Sequence, residues 1–153
     1  GSFIQHKDQY GLGATSYVGG YGNVFFAGVP TIASLLQGSP WEISSSKLQI
    51  LKEFVDNALK PFIYNGIMLD MMRGRGISRS AEDAVGHTSL NAMMLIARII
   101  TDPVQKSEMY SFVKQMIQSD TSYDHMYNMR GVNLNQYPIS LMNDLDRILN
   151  DPN

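Results

Sequence analysis

Apolar residues recur at steps of three and four along much of this 153-residue chain, a spacing that favours α-helices which bury one face. One such run follows Ser44-Ser-Ser46, which is predicted to cap it, and comprises Leu48, Leu51, Phe54 or Val55, Ala58 and Phe62. A second run extends from Ser80 to about Ile100 and comprises Val85, Thr88, Ala92, Leu95 or Ile96, and Ile99. No stretch shows the clear alternation of a strand. The sequence therefore predicts an all-α chain built from antiparallel helical hairpins.

Residues that start and stop helices divide the chain further. Asn23 is a predicted N-cap for a helix that reaches Leu36. Pro30 predicts a kink inside this helix, and Gly38-Ser-Pro40 predicts its end. Trp41 follows in a connection, where its large ring is expected to pack against neighbouring helices.

Later helix starts are marked in the same way. Ser80-Ala-Glu-Asp83 has the form of a capping box, and Met93 and Met94 widen the apolar stripe that follows, which predicts a helix buried on more than one side. Asp102-Pro103 fits an N-cap followed by proline at the first helical position, and it opens a predicted helix to Ser119. A last amphipathic helix is predicted over Ile139 to Leu149.

The first 22 residues differ from the rest because they hold six of the 13 glycines and little helical periodicity. They are predicted to be irregular backbone of the kind that often carries a site. The length suffices for one hydrophobic core and is too short for two ordinary domains. We therefore expect one domain, or part of one, over residues 1–153, with an irregular active-site segment at 1–22 and helical hairpins at 23–150.

Charge and composition exclude several classes of function. The formal net charge is −2, so no overall basic field favours nucleic acid as a partner. No apolar run approaches the ~18–20 residues needed to cross a bilayer, so no membrane span is expected. The chain has no cysteine and its three histidines are far apart in sequence, which leaves no metal-ligand spacing. Neither a metal nor a cofactor is expected.

Three short motifs concentrate residues that are capable of acid–base and anion-binding chemistry. In chain order they are Gly1-Ser-Phe-Ile-Gln-His6, Tyr17-Val-Gly-Gly-Tyr21-Gly-Asn23 and Met72-Arg-Gly-Arg75-Gly-Ile-Ser-Arg79. A histidine, a tyrosine and an arginine cluster together suit proton abstraction beside a carboxylate. Taken singly, each motif also has a structural interpretation, as a loop hydrogen-bond donor, a packed ring or a solvated charge cluster.

These motifs resemble the signature runs of the polysaccharide lyase family that contains hyaluronate, chondroitin AC and xanthan lyases. The resemblance extends from residue 1 to about residue 125. It implies that the chain is a fragment of a catalytic α/α toroid and corresponds to its later helices. It also implies a secreted bacterial parent enzyme, whose N-terminal helices and β-sandwich domains are the missing partners of this chain, and an acidic polysaccharide as substrate.

In that family, the bond on the non-reducing side of a uronic acid is broken by removal of the C5 proton and expulsion of the C4 oxygen. The resemblance implies that Tyr21 acts as base and then as acid, that His6 is its partner near the carboxylate, and that Arg75 is catalytic by polarising the site. The residues that it assigns to substrate binding are Arg79, Arg73 and Asn23. A free phenol has a pKa of about 10, so a tyrosine that acts as a base needs positive charge nearby.

The chain departs from the family pattern in two ways. The interval from His6 to Tyr21 is longer, with the extra residues at about 7–16, which predicts a remodelled loop that can displace His6. The family's catalytic Asn and its sugar-stacking aromatic residues lie upstream of the histidine, and a Glu from the β domain organises the site. None of these has a match here, so the chain alone is expected to be inactive.

Other interpretations of function and of the remaining histidines stay open at this point. One alternative is a non-catalytic helical module that binds acidic glycans or a partner chain through the arginine cluster. Another is a packing unit whose apolar faces are covered only inside a larger protein. His87 is interpreted as a core or capping histidine in preference to a substrate contact. His125, with Tyr123 and Tyr127, is predicted to be surface structure.

Overall fold

The computed structural model describes residues 5–7, 14–78, 82–126 and 138–151, and for 5–7, 14–16, 82 and 83 it describes the backbone alone. The α-helices in these ranges are α1 (Asn23–Leu36), α2 (Ser45–Phe54), α3 (Glu82–Ile99), α4 (Pro103–Ser119) and α5 (Ile139–Asn150). The predicted all-α class is confirmed, and α4 and α5 end within one residue of their predicted bounds. None of the described helices combines the length and the apolar character that a membrane crossing requires.

Two short antiparallel hairpins correct the expectation that the chain has no strands. β1 (Gln5–Lys7) pairs with β2 (Ala14–Ser16), and β3 (Ile63–Tyr64) pairs with β4 (Ile67–Met68). Strands of two or three residues are too short for alternation to show in a sequence. The turn of the second hairpin is Asn65-Gly66, with φ angles of 49° and 80°. Asn-Gly is the preferred pair for a two-residue turn with positive φ at both positions, so this hairpin does have a sequence signal.

A π-helical turn, Val18–Gly22, runs directly into α1, with Gly22 and Asn23 both in helical backbone conformation. The prediction of Asn23 as an N-cap is therefore wrong, because the non-helical residue before the helical run is Tyr17. The segment predicted to be irregular over 1–22 likewise contains a strand pair and a helical turn. α2 continues in a similar way through a π-helical turn, Val55–Leu59, and a 3-10 turn, Lys60–Phe62.

Other helix ends follow the local chemistry of the sequence. Asp102 Oδ1 accepts hydrogen bonds from the backbone N–H groups of Val104, at 2.9 Å, and Gln105, at 3.0 Å, which confirms the predicted N-cap. Ser44 occupies the N-cap position of α2 without a capping hydrogen bond from its side chain. Gly38, at φ 75°, follows the end of α1 as predicted.

α3 is the central helix of the described chain. Its residues from Leu90 to Ala97 are all buried, and it contacts α1, α2, α4, α5 and β4. The prediction that this helix is buried on more than one side is confirmed. Each fully buried Leu, Ile or Met side chain contributes about 1.5–3 kcal/mol relative to an exposed one, so α3 is the main source of hydrophobic stabilisation.

α1 is apolar on two sides, and the described chain covers only one of them. Phe26, Pro30 and Ala33 are buried, and Phe26 stacks on Phe54 of α2 with ring centroids 4.5 Å apart. The opposite side, here called the α1 apolar face, exposes Val24, Phe25, Ile32 and Leu35. At 100° per residue these four positions lie on one side of the helix.

Trp41 is 75% exposed, so the prediction that its ring packs against neighbouring helices is wrong for this chain. The connection that carries it is held by its own polar groups. The Trp41 backbone N–H donates to Ser39 Oγ at 3.2 Å, and the Gly38 N–H donates to the Glu42 carboxylate at 2.8 Å. This compact turn leaves the indole on the outside of the described chain.

The exposed α1 apolar face predicts self-association of the purified 153-residue chain. Replacement of Val24 and Leu35 by lysine is expected to weaken association at least about tenfold, because each buried apolar side chain contributes roughly 1.5–3 kcal/mol. Sedimentation equilibrium over a concentration series measures the dissociation constant. Val104→Lys, at an exposed position on α4, is the matched control and should change it little. A wild-type chain that stays monomeric throughout contradicts the prediction.

Candidate functional site

Tyr21 lies in the π-helical turn that leads into α1. The Tyr17 carbonyl oxygen accepts hydrogen bonds from the N–H groups of Gly20, at 3.3 Å, and Gly22, at 3.2 Å, and these bonds close the turn. The two tyrosines of this motif differ in exposure, since Tyr21 is 48% exposed and Tyr17 is 9% exposed. Tyr21 is therefore the tyrosine that a ligand can reach directly.

The turn that carries Tyr21 packs on the segment that carries the arginines. This segment forms two 3-10 turns, Asp70–Met72 and Gly74–Ser78, and both contact the π-helical turn. A Cβ atom on Gly19 would lie 2.6 Å from the Met72 carbonyl oxygen, so the two backbones approach more closely than any other residue allows. These three turns, here called the Tyr–Arg site, bring two motifs that are far apart in sequence onto one surface.

Arg73 and Arg75 have different environments. The Arg73 side chain is 4% exposed, with Nη1 at 2.7 Å from Asp70 Oδ1, and its Nη2 donates to the Gly76 carbonyl oxygen at 2.8 Å. These contacts fasten one 3-10 turn to the next. Arg75 is exposed on the second turn, and its carbonyl oxygen accepts a hydrogen bond from Ser78 Oγ at 3.1 Å. Of these two arginines, Arg75 is the one on the surface.

Asn23 connects the Tyr–Arg site to the central helix. Its Oδ1 accepts a hydrogen bond from Ser89 Oγ on α3 at 2.9 Å, and Ser89 is fully buried. The same hydroxyl lies 3.1 Å from the Val85 carbonyl oxygen, so the serine is held in place by its own helix. Asn23 therefore fixes the first turn of α1, and with it Tyr21, against α3.

The backbone of His6 lies in β1 opposite Thr15 of β2, while the His6 side chain and the whole of Arg79 lie outside the described residues. Paired residues of an antiparallel sheet have Cα atoms about 4.5–5.5 Å apart. Lys7 pairs with Ala14, so the residues after the longer interval lie next to those before it. The backbone of His6 consequently lies beside the strand that leads into Tyr17 and Tyr21.

The Tyr–Arg site places an exposed phenol and an exposed guanidinium on adjoining turns. Such a surface can exchange a proton and hold an anion. Sequence reasoning proposed Tyr21 and Arg75 as site residues. It missed Asp70 and Ser89, which pair with Arg73 and Asn23. Asp70 had a sequence signal, because an acid three residues before an arginine can pair with it in a helical turn. Ser89 had none, since its partner lies 66 residues away.

A second cluster of titratable side chains lies inside the protein, away from the motifs. His87 Nε2 lies 2.8 Å from Asp120 Oδ2, and His87 Nδ1 lies 2.6 Å from His125 Nδ1. The His87 ring also stacks on Tyr123 at a centroid distance of 4.6 Å. His87 is thus a core histidine. The prediction that His125 is surface structure is wrong, because it is 3% exposed, and Tyr127 lies outside the described residues.

The hydrogen bonds of this cluster constrain where its protons lie. An ionised Asp120 only accepts, so His87 Nε2–H donates to it, and the contact between His87 Nδ1 and His125 Nδ1 holds a single proton. His125 Nε2 is left buried without a hydrogen-bond partner among the described residues. Burial and the neighbouring His87 lower the pKa of His125 to about 3, against the opposing effects of Asp124 and Asp120.

These observations describe a helical segment with the Tyr–Arg site at one end of α1. The family model described as polysaccharide lyase family 8, N terminal alpha-helical domain, matches residues 1–115. The chain belongs to polysaccharide lyase family 8, and the resemblance carried by the three motifs is confirmed.

Curated relatives share this segment and are much longer. A xanthan lyase from Bacillus sp. (strain GL1) is 35% identical over 123 residues, which are 79% of this chain and 12% of that protein. A hyaluronate lyase from Thermasporomyces composti is 43% identical over 82 residues, which are 54% of this chain and 10% of that protein. A hyaluronate lyase from Staphylococcus aureus is 30% identical over 125 residues, which are 80% of this chain and 15% of that protein. The chain therefore spans only a small part of the relatives that it matches.

Two solved structures have the same fold over most of the chain. A xanthan lyase from Paenibacillus has a TM-score of 0.72 at 25% identity, over 89% of this chain and 12% of that one. A chondroitin AC lyase from Streptomyces coelicolor A3, in complex with chondroitin sulphate, has a TM-score of 0.74 at 25% identity. This match covers 90% of this chain and 19% of that one. The prediction that the chain is part of an α/α toroid is confirmed.

The buried His87–His125 pair predicts acid-sensitive stability. Between its ordinary pKa of about 6.5 and its folded value of about 3, His125 takes up a proton only when the chain unfolds. The free energy of unfolding should therefore decrease as the pH is lowered from about 6.5 towards 3, by at most about 1.4 kcal/mol per pH unit for this group. Asp120, whose pKa is lowered by hydrogen bonds from His87 and Ser122 despite the raising effect of burial, adds to the loss only at lower pH.

Urea unfolding at a series of pH values, followed by circular dichroism, measures this slope. His125→Asn keeps an amide that can pair with His87 Nδ1 as donor or as acceptor but does not titrate, so it should flatten the slope between about pH 6.5 and pH 4. His6→Asn removes a histidine from another part of the chain and is the matched control. The same slope in His125→Asn and in wild type contradicts the prediction.

Proposed function

We propose that this chain is one segment of a longer, secreted polysaccharide lyase that cleaves uronic-acid polysaccharide of the hyaluronan, chondroitin or xanthan type by β-elimination. The observation that carries the proposal is the packing of the turn with exposed Tyr21 on the turn with exposed Arg75, in a chain of polysaccharide lyase family 8. Relatives named as xanthan and hyaluronate lyases support the substrate class. The small share of those relatives that it spans supports a longer parent protein.

In the proposed reaction, Tyr21 removes the C5 proton of a uronic acid, and the electron pair is delocalised into the sugar carboxylate. The bond from C4 to the glycosidic oxygen then breaks, a C4–C5 double bond forms, and Tyr21 returns the proton to the leaving oxygen. The C5 proton is barely acidic until the charge of the carboxylate is neutralised. Stabilisation of the negative charge that develops in the transition state is therefore the main requirement.

Each residue identified from the sequence has a role in this proposal. Arg75 and Arg79 bind and neutralise acidic groups of the substrate through charge-assisted hydrogen bonds. His6 is the partner of the phenol near C5. Arg73 and Asn23 assist binding by fixing the second 3-10 turn and the start of α1, through their internal hydrogen bonds. No metal or cofactor takes part in the proposed reaction.

We further propose that the isolated chain is inactive. In the family that it resembles, an Asn and sugar-stacking aromatic residues upstream of the histidine, and a Glu from the β domain, complete the site, and this chain offers no match for them. The missing N-terminal helices and β-sandwich domains are its partners in this proposal. In this proposal, other parts of the longer protein pack against the exposed α1 apolar face.

Removal of one hydroxyl tests the role of Tyr21. In the longer protein that contains this chain, Tyr21→Phe should lower kcat by about 10²–10⁴-fold, the usual contribution of general acid–base catalysis. The measurement is the ultraviolet absorbance of the unsaturated product during incubation with hyaluronan, chondroitin and xanthan in turn. Tyr64→Phe, at an exposed tyrosine on β3, is the matched control and should keep the wild-type rate. A near-normal rate for Tyr21→Phe contradicts the assignment.

Loss of one exposed charge tests the role of Arg75. In the same protein, Arg75→Ala should raise KM for acidic polysaccharide by roughly 10- to 100-fold, because a hydrogen bond between charged groups contributes about 1.5–3 kcal/mol. The KM difference should shrink as salt is added. Lys47→Ala removes an exposed charge from α2 and is the matched control. If the protein binds acidic polysaccharide in a salt-sensitive way but neither the wild type nor a variant makes unsaturated product, a non-catalytic glycan-binding module is favoured.

A further inference from the structure

Tyr17 is the buried ring at the centre of the Tyr–Arg site. It makes an edge-to-face contact with Tyr21, with ring centroids 5.2 Å apart and an interplanar angle of 86°. A Cβ atom on Gly20 would lie 2.4 Å from its Cε2 and Cζ atoms, and one on Gly74 would lie 2.6 Å from Cε2. The Tyr17 ring therefore touches the backbone of the turn that carries Tyr21 and of the turn that carries Arg75.

The backbone of both turns is shaped to accept this ring. Gly74 has φ 52°, a conformation that residues with a side chain rarely adopt, and it directly precedes Arg75. Gly20 directly precedes Tyr21, and any side chain there would overlap the ring. Each of the two site residues is thus preceded by a glycine whose neighbour in space is Tyr17.

We infer that Tyr17 is a positioning residue, whose rigid ring sets the separation between the Tyr21 phenol and the Arg75 guanidinium. The inference rests on the proposed function, because it assigns Tyr17 a part in the same reaction. The ring is buried, so it acts through the two turns and not on the substrate. An aromatic ring is a stiff spacer with two side-chain torsions. A smaller residue at this position would allow the two turns to move towards each other and fill the space of the ring.

Two substitutions of Tyr17 in the longer protein separate spacing from chemistry. Tyr17→Phe keeps the ring and should retain kcat/KM close to the wild-type value. Tyr17→Ala removes the spacer and should lower kcat/KM on the order of 100-fold, the cost of a misplacement of about 1 Å. If Tyr17→Phe loses as much as Tyr17→Ala, the hydroxyl and not the ring is required, and the inference is overturned.

A double-mutant cycle distinguishes positioning from general loss of structure. In an Arg75→Ala background, Tyr17→Ala should cost far less than in wild type, because the group that the ring aligns is already gone. Equal costs in the two backgrounds overturn the inference, since a merely structural defect acts regardless of Arg75.

A glycine substitution keeps the test independent of whether Tyr17→Ala folds. Gly74→Ala pushes a methyl group into the Tyr17 ring and should lower kcat/KM, whereas the control Ser111→Ala, at an exposed position on α4, should not. Equal activity of these two variants overturns the inference. A wild-type protein that makes no unsaturated product defeats the proposed function itself. An active wild type with an inactive Tyr21→Phe and a fully active Tyr17→Ala defeats only the role of Tyr17.

Discussion

Burial of the middle of α3 on all sides is the constraint on which the rest of the structure depends. The stretch from Leu90 to Ala97 has almost no contact with solvent, so every neighbouring element must supply an apolar surface to it. The same helix carries the polar groups that orient those neighbours. Ser89 holds the start of α1 through Asn23, and His87 holds the end of α4 through Asp120. Packing on α3 therefore supplies both the stability of the chain and the alignment of its parts.

The Tyr–Arg site is an outcome of this alignment and of unusually close backbone contacts. Gly19 lies against the Met72 carbonyl group, and Gly20 and Gly74 both lie against the Tyr17 ring. The glycines of the two motifs therefore serve close approach as well as turn formation. These close contacts hold Tyr21 and Arg75 on adjoining turns. The proposed elimination has to stabilise developing charge, and prior organisation of this kind favours it.

The sequence was most informative where the physical cause is local. The Asp102 cap, the end of α1 near Gly38 and the bounds of α5 depend on residues only a few positions apart, and all three were predicted. It was least informative where partners are distant. His125 was assigned to the surface because its contact with His87 joins residues 38 positions apart. Trp41 was assigned to the interior because large rings are usually buried, whereas its own turn holds it outside.

The sequence by itself determined the helical class, the end of α1, the cap of α4, the bounds of α5 and the family, because periodicity, capping residues and three ordered motifs can all be read locally. It also identified Tyr21 and Arg75 as candidate site residues. Only the tertiary structure decided that Arg73 is internal while Arg75 is exposed, that His87 and His125 form a buried pair, and that Tyr17 lies between two turns. Burial and distant contacts depend on how the helices pack around α3, and no short stretch of sequence contains that information.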